Sequence, residues 1–366
     1  MNPVSVFPTQ KDETWRLFDL ARLAEADRFA EVPASPVIEK EARGAVVGRF
    51  KDAAAGAGEG YFFEANARRF RDGLSVRIPA GVRVDGTLHV RLRASGGAEG
   101  KKFHPRLRIV AEKGSACRIA VHSGARSGGY FMNAVVEVTA EEDADLRLVS
   151  LQDAGPGAIE LTAWRVDSAA RSRVEHTEIM TGGGAVRNDM RVRLAGPDAL
   201  VYLNGLSVLS DAAQMHNHTV VVHEAPRTLS RQLFKDILAG TARSEYSGLV
   251  HVKREAVKSD SNQLCRNLLL SETARANSRP QLRIDTDDVK CSHGSATGQL
   301  PGNELFYLRS RGLSLEEARA MLIEGFAEEV VLALPEEDEA LRRDAHRRVH
   351  GELERVAGLL PEEALA

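Results

Sequence analysis

Cys291 and His293 sit two residues apart in Asp287-Asp288-Val289-Lys290-Cys291-Ser292-His293-Gly294, a segment that reads as strand. Alternate residues of a strand leave the same face, so a soft sulfur and an imidazole would emerge side by side as a metal-ligand pair. Cys265 lies in the same region and Cys117 far from it. Three widely spaced cysteines without a Cys-x-x-Cys unit argue against a disulfide framework and for a reducing compartment. His216 and His218 form a second grouping on one strand face, with His223 and Glu224 following. Asp287 and Asp288 are adjacent, so a strand would point them in opposite directions, which spoils them as an acid-base pair. The chain has no Gly-x-x-x-x-Gly-Lys-Ser/Thr and no Gly-x-Ser-x-Gly. It therefore has neither a phosphate-cradling P-loop nor a nucleophile elbow, and any ATP hydrolysis it depends on belongs to a partner.

The elements that must position these groups fall into three zones. Leu17, Leu20, Ala21 and Ala24 recur at helical spacing between Thr9 and about Phe29, which predicts an amphipathic helix. Between about Ala45 and His293 the pattern becomes short alternating runs, such as Leu74 to Ile78, Leu107 to Val110, Leu146 to Leu151 and His216 to Val222. Gly182-Gly183-Gly184 reads as a turn between two of them. So many short strands leave a parallel β-helix, a large barrel or tandem sandwiches open, and no strict repeat length selects among them. After Gly312, Ser314 and Glu317 have capping-box spacing, and Leu315, Ala318, Leu322, Gly325 and Phe326 line one expected helix face. A second helix after Pro335 carries the apolar stripe Leu341, Ala345, Val349, Leu353 and Val356.

Composition narrows the classes. The 366 residues are 43% hydrophobic and 28% charged, which fits an ordinary folded chain. A net charge of -3 from 49 basic and 52 acidic residues supplies no field for nucleic acid or an anionic membrane. No segment approaches the roughly 18 consecutive apolar residues of a membrane span, and the N-terminus lacks a basic start followed by an apolar run, so a cytoplasmic location is expected.

The segment Asp287 to Gly294, with Leu305-Phe306-Tyr307-Leu308-Arg309-Ser310-Arg311-Gly312, Phe234-Lys235 and Asn267 to Ser271, resembles the signature of the SufB/SufD family of iron-sulfur cluster assembly, nearer its SufD branch. Glu13-Thr14-Trp15-Arg16 is also similar to an N-terminal SufD signature. Gly294 stands where SufB-type chains carry an acidic residue, Cys265 where they carry a scaffold cysteine, and Arg283 where the family commonly has Glu. The resemblance implies a mainly β fold, with a right-handed parallel β-helix core over 45–295 between helical regions at 1–44 and 296–366. It further implies a non-catalytic scaffold subunit that pairs with a SufB-type subunit, or with its own copy, and docks a SufC-type ABC ATPase. The ATPase contact would fall on Phe306, Tyr307, Arg309, Arg311, Leu315, Leu322 and Phe326.

By the same resemblance, His293 faces the partner subunit at a cluster-assembly site beside Cys291, with Cys265 as a further candidate ligand. A four-thiolate cluster exceeds what three distant cysteines can supply, so the expected site is shared across an interface, with no firmly bound cofactor and at most a transient iron-sulfur cluster. Two other readings compete. One makes the chain a purely structural mate of the scaffold subunit. The other makes it a cupin-like metalloenzyme using His216 and His218, although Glu224 falls late for the cupin spacing and His223 lies on the opposite strand face.

Overall fold

The computed structural model describes residues 6–34, 36–52, 60–93, 98–125 and 128–357. Its core is a parallel β-helix of about eight turns, built as two facing sheets. The chain crosses from one sheet to the other at each corner, and every strand from Phe131–Ala140 to Asp260–Leu269 pairs in parallel with the strand two places further along. The column Asp145, Arg173, Leu200, Leu229, Asp260, Lys290 runs in register down one sheet. From Phe131–Ala140 onward the step from coil to coil varies between 26 residues (Ile159 to Ala185) and 32 (Arg243 to Arg275), which is why no strict repeat is visible in the sequence.

Corner geometry explains that variation. One corner of successive coils holds a residue with positive φ: Gly114, Asp143, Arg171, Asp198, Arg227 and Lys258. Each N–H in this set donates to a carbonyl of the next coil, so the ladder continues around the corner. Ion pairs between Arg171 and Asp143 and between Arg227 and Asp198, both at 2.7 Å, staple adjacent corners. Because the left-handed position is filled mostly by charged residues rather than by Gly or Asn, the corners carry little of the usual turn signature.

Inward positions build a continuous interior. It is apolar near the start, with Leu74, Val76, Leu88, Leu107, Ile109 and Ile119, and gains polar groups further on, including Gln152, Glu160, Glu178, Gln232, Asp236 and Gln263. The outer faces are covered differently. The first sheet's Phe131, Ile159, Leu161 and Ala185 pack under helices α1 (Leu20–Ala26) and α2 (Tyr61–Arg69). The second sheet's Val149, Leu151, Ile179, Leu206, Val208 and Ile237 receive the C-terminal helices. These are α3 (Gly302–Ser310), α4 (Leu315–Val331) and α5 (Glu339–Ala357).

Several sequence expectations are realised and some are corrected. The triple glycine is the bend between Arg173–Gly182 and Ala185–Leu194. The α5 stripe Leu341, Ala345, Val349, Leu353 and Val356 is wholly buried, and the partner it needed is the chain's own sheet. The N-terminal helix is shorter than expected: a 3-10 turn (Glu13–Trp15) precedes α1, whose start is fixed by the Asp19 carboxylate accepting from Arg22 N at 3.0 Å. That later start resets the helical phase, so Phe18, Leu23 and Ala26 are buried while Leu17 and Ala21 are exposed. In α4 the capping box forms, with Ser314 Oγ accepting from Glu317 N at 3.1 Å and Ser314 N donating to Glu317 Oε2 at 2.8 Å. The buried seam, however, is Ala318, Ile323, Ala327, Val330 and Val331. Gripped between the sheet and α5, the helix leaves Leu322 and Phe326 half-buried and Gly325 exposed. Helix α2 also lies inside the stretch that the alternation pattern marks as strand.

Candidate functional site at the open end of the coil

The two ends of the β-helix differ. At the beginning, the antiparallel strands Val37–Lys40 and Val46–Phe50 cover the first strand of each sheet. At the other end, Arg275–Ile284 and Lys290–Gly298 are the last strands of their sheets, and among the described residues no further strand pairs with either. Most of their residues are half-buried or exposed. Both edges therefore present free main-chain donors and acceptors, and the coil interior is uncapped there.

Register places the candidate residues. Ser261, Gln263, Cys265 and Asn267 point inward on Asp260–Leu269, and their partners on the last strand are Cys291, His293, Ser295 and Thr297. Cys291 and His293 thus share the inward face of the final coil, and among the described residues no coil lies beyond to seal them. Cys291 is half-buried against the core edge, and burial raises its thiol pKa. His293 is exposed, and its Nδ1 donates to the Pro280 carbonyl at 3.1 Å, leaving Nε2 as the lone-pair nitrogen. A fixed tautomer with an exposed lone pair is how a ligating imidazole is usually prepared.

Cys265 does not join them. It lies one coil deeper, buried, with Sγ 3.2 Å from Ser278 Oγ, and burial pushes its thiol up to about 12. Its register partner Ser295 stands four residues beyond Cys291, about 13 Å along the strand at ~3.3 Å per residue. Cys117 is buried in a distant coil and likewise raised to about 12 by burial. Of the residues expected to meet a partner, Phe306 and Tyr307 are 75% and 55% exposed, Arg309 and Arg311 are exposed, and Leu315, Leu322 and Phe326 are half-buried. Arg311 lies 5.1 Å over the Tyr307 ring.

A second cluster went unseen as a set in the sequence. His216 and His218 share the outer face of Gln214–His223, and the carboxylate that meets them is Glu245, in register with His216 on the next strand. Glu224 turns away to Arg193 and Lys253. The three ligand atoms lie within 4.8 Å of one another, yet each is already engaged. His216 Nδ1 donates to Glu245 Oε2 at 2.9 Å, Arg187 Nη1 donates to His218 Nε2 at 3.1 Å, and Arg279 pairs with Glu245. Burial would raise the Glu245 carboxyl, but the hydrogen bond from His216, with His218 beside it, overrides burial and holds the group well below the usual range. Burial pushes His216 down to about 4. Two guanidinium groups beside the donors oppose a cation, and the assembly instead anchors the N-terminal segment. Trp15 stacks on Arg187 at 3.8 Å, Glu13 Oε1 accepts from Arg279 at 3.1 Å, and the Phe18 ring sits 4.9 Å from that of His216. The adjoining cleft, about 470 Å³, is lined in part by Glu13, Trp15, Arg187, His218 and Arg279. The parallel ladder also differs from the jelly-roll sandwich of cupins.

A parallel β-helix that ends in an unsealed Cys/His face defines the class. The family description "SUF system FeS cluster assembly, SufBD core domain" matches residues 93–326, and the chain belongs to the SufB/SufD family. It is 32% identical over 298 residues to Protein ABCI7, chloroplastic, of Arabidopsis thaliana, covering 79% of this chain and 62% of that protein. It is 29% identical over 287 residues to an iron-sulfur cluster assembly SufBD family protein of Synechocystis, covering 76% of this chain and 63% of the relative. The chain thus spans less than two thirds of the length of these two relatives. Against the iron-sulfur cluster assembly protein SufD of Escherichia coli it is 26% identical over 378 residues, covering 93% of this chain and 88% of that one. Among the described residues no helix is long and apolar enough to cross a membrane.

Proposed function

We propose that this chain is a non-catalytic SufD-type subunit of a cytoplasmic iron-sulfur assembly scaffold, and that it lends Cys291 and His293 to a cluster site completed by a SufB-type subunit. The observation that carries this reading is the uncapped final coil, with a sulfur and a free imidazole nitrogen on one accessible face. Two unpaired strand edges flank that face, so a second β-helix can add main-chain pairing and close over the ligands in one step. The extended similarity to the Escherichia coli SufD supports the branch.

The cluster is cargo, assembled and passed on. A thiolate and an imidazole from this chain leave two iron positions to be met from the other subunit, which makes a labile site. Cys265 enters as a ligand only if the last coil opens, since its thiol is sealed and its pKa raised by burial. The exposed Phe306, Tyr307, Arg309 and Arg311 surface of α3, with the half-buried flank of α4, supports docking of a SufC-type ATPase there.

Replacing His293 with Ala in the purified complex tests the ligand assignment. Cluster yield should fall about ten-fold or more, the scale already seen when only an outer-sphere partner of a metal ligand is lost, while the complex still assembles. Unchanged yield removes His293 from the site and leaves the chain a structural mate. Gentle purification of a tagged chain should bring with it an ABC ATPase and a larger related protein; recovery of the chain alone, or paired only with its own copy, refutes the partner assignment.

A further inference from the structure

Lys235 occupies an unusual place for a lysine. It points outward from Leu229–Leu238, its side chain only 3% exposed beneath α4. Its Nζ donates to the Phe326 carbonyl at 2.9 Å, pairs with Glu329, and lies 4.6 Å over the Phe326 ring. Arg266, its register partner on the next strand, reaches the same Glu329 at 3.8 Å. A buried ammonium costs solvation that packing of an isosteric apolar side chain would avoid, so overall stability is a weak reason for it to be here. What it does supply is direction: three fixed contacts to Phe326 and Glu329 on one helix turn resist sliding in a way that apolar contact does not.

The neighbours of Lys235 in the chain face the other way. Phe234 is in register with Cys265, and Asp236 with Asn267. Asn267 Nδ2 donates to Ser278 Oγ at 3.0 Å and to Thr297 Oγ1 at 2.9 Å, both in the final coil, and Cys265 Sγ touches the same Ser278. One strand's thickness therefore separates the grip on α4 from the residues that hold the last coil. We infer that Lys235 is a positioning residue: it fastens α4 to the strand behind Cys265, so that movement of α4 is delivered to the coil bearing Cys291 and His293. This rests on the proposed reading, in which an ATPase docks on α3 and α4, and it names how that docking regulates the site.

The test uses the purified complex and follows alkylation of Cys291 by mass spectrometry, with and without Mg-ATP, in the wild type and in Lys235→Met, Lys235→Arg and Glu329→Gln. In the wild type nucleotide should change the Cys291 rate about five-fold or more, the lower end of typical coupling between sites. Lys235→Met and Glu329→Gln should lose that response while the ATPase stays bound and the melting midpoint barely moves, and Lys235→Arg should keep it. A role in stability alone would move the midpoint and leave the response. If Lys235→Met fails to fold, Glu329→Gln decides, because that side chain is half-exposed. Retention of the nucleotide response in both variants overturns the inference and leaves the proposed function standing. A wild type without any response also overturns it. Absence of an ATPase from the complex refutes the proposed function itself.

Discussion

At the residue scale the chain separates its thiols by depth. Cys291 is half-buried at the open end, whereas burial lifts the thiols of Cys117 and Cys265 to about 12. Alkylation requires both access and thiolate, so an excess of iodoacetamide at pH 8 should modify Cys291 ~10-fold faster or more than either of the others, read by peptide mass spectrometry. Equal rates at Cys265 and Cys291 would mean that the last coil opens freely in the isolated chain. The Cys291/His293 pairing was legible in the sequence because strand periodicity is local: two residues apart is enough to put both on one face. The ring of partners around Glu245 was not, because Glu245 reaches His216 through a coil of 29 residues whose length varies from turn to turn.

At the element scale the C-terminal helices are a layer laid on the second sheet. Leu353 is 5% exposed in the seam between α5 and that sheet. Its replacement by Ala should cost about 2–4 kcal/mol. The loss should appear as faster hydrogen exchange in α4 and α5 with the coil's strands unchanged, since the β-helix pairs with itself and not through the helices. Uniform loss of protection throughout the chain would instead make helices and coil one cooperative unit. The α5 stripe could be read from sequence because steps of three and four name a helix face directly. The next-to-last strand could not be read this way. Arg275–Ile284 buries neither face deeply, so selection for apolar alternation is missing where a partner is expected to add its own surface.

At the scale of the whole molecule, a long polar interior ties stability to pH. Burial keeps the Glu178 carboxyl neutral, raising it to about 8 from an ordinary carboxyl value, while burial lowers His176 to about 3, and His216 and His223 to about 4. The signs oppose. For Glu178 the folded state holds a proton that the unfolded chain gives up, so its contribution is present below about pH 4.5 and lost as pH rises toward 8. For the histidines the unfolded chain binds protons that the fold refuses, so stability falls as pH drops from about 6.5 toward 4. Glu178→Gln keeps an oxygen that can accept from Asn188 Nδ2 and removes the titration. Unfolding free energies from urea titrations should therefore fall less between pH 5 and 8.5 in Glu178→Gln than in the wild type, by an amount on the order of a few kcal/mol. Parallel pH profiles would show that Glu178 is ionised in the fold.

Strand alternation, the α5 stripe, the capping box and the Cys/His spacing were fixed by the amino-acid sequence alone, because each depends on neighbours within a turn or two of chain. Those local patterns could not choose among β-helix, barrel and sandwich; the family resemblance suggested the first, and the parallel ladder establishes it. Tertiary structure also decided which end of the coil lies open, which carboxylate meets His216, and which thiol is sealed. Those outcomes depend on stacking between residues 26 to 32 positions apart, whose spacing is set by corners of variable length. No repeat of constant period records them, and only the closed ladder of hydrogen bonds brings the partners together.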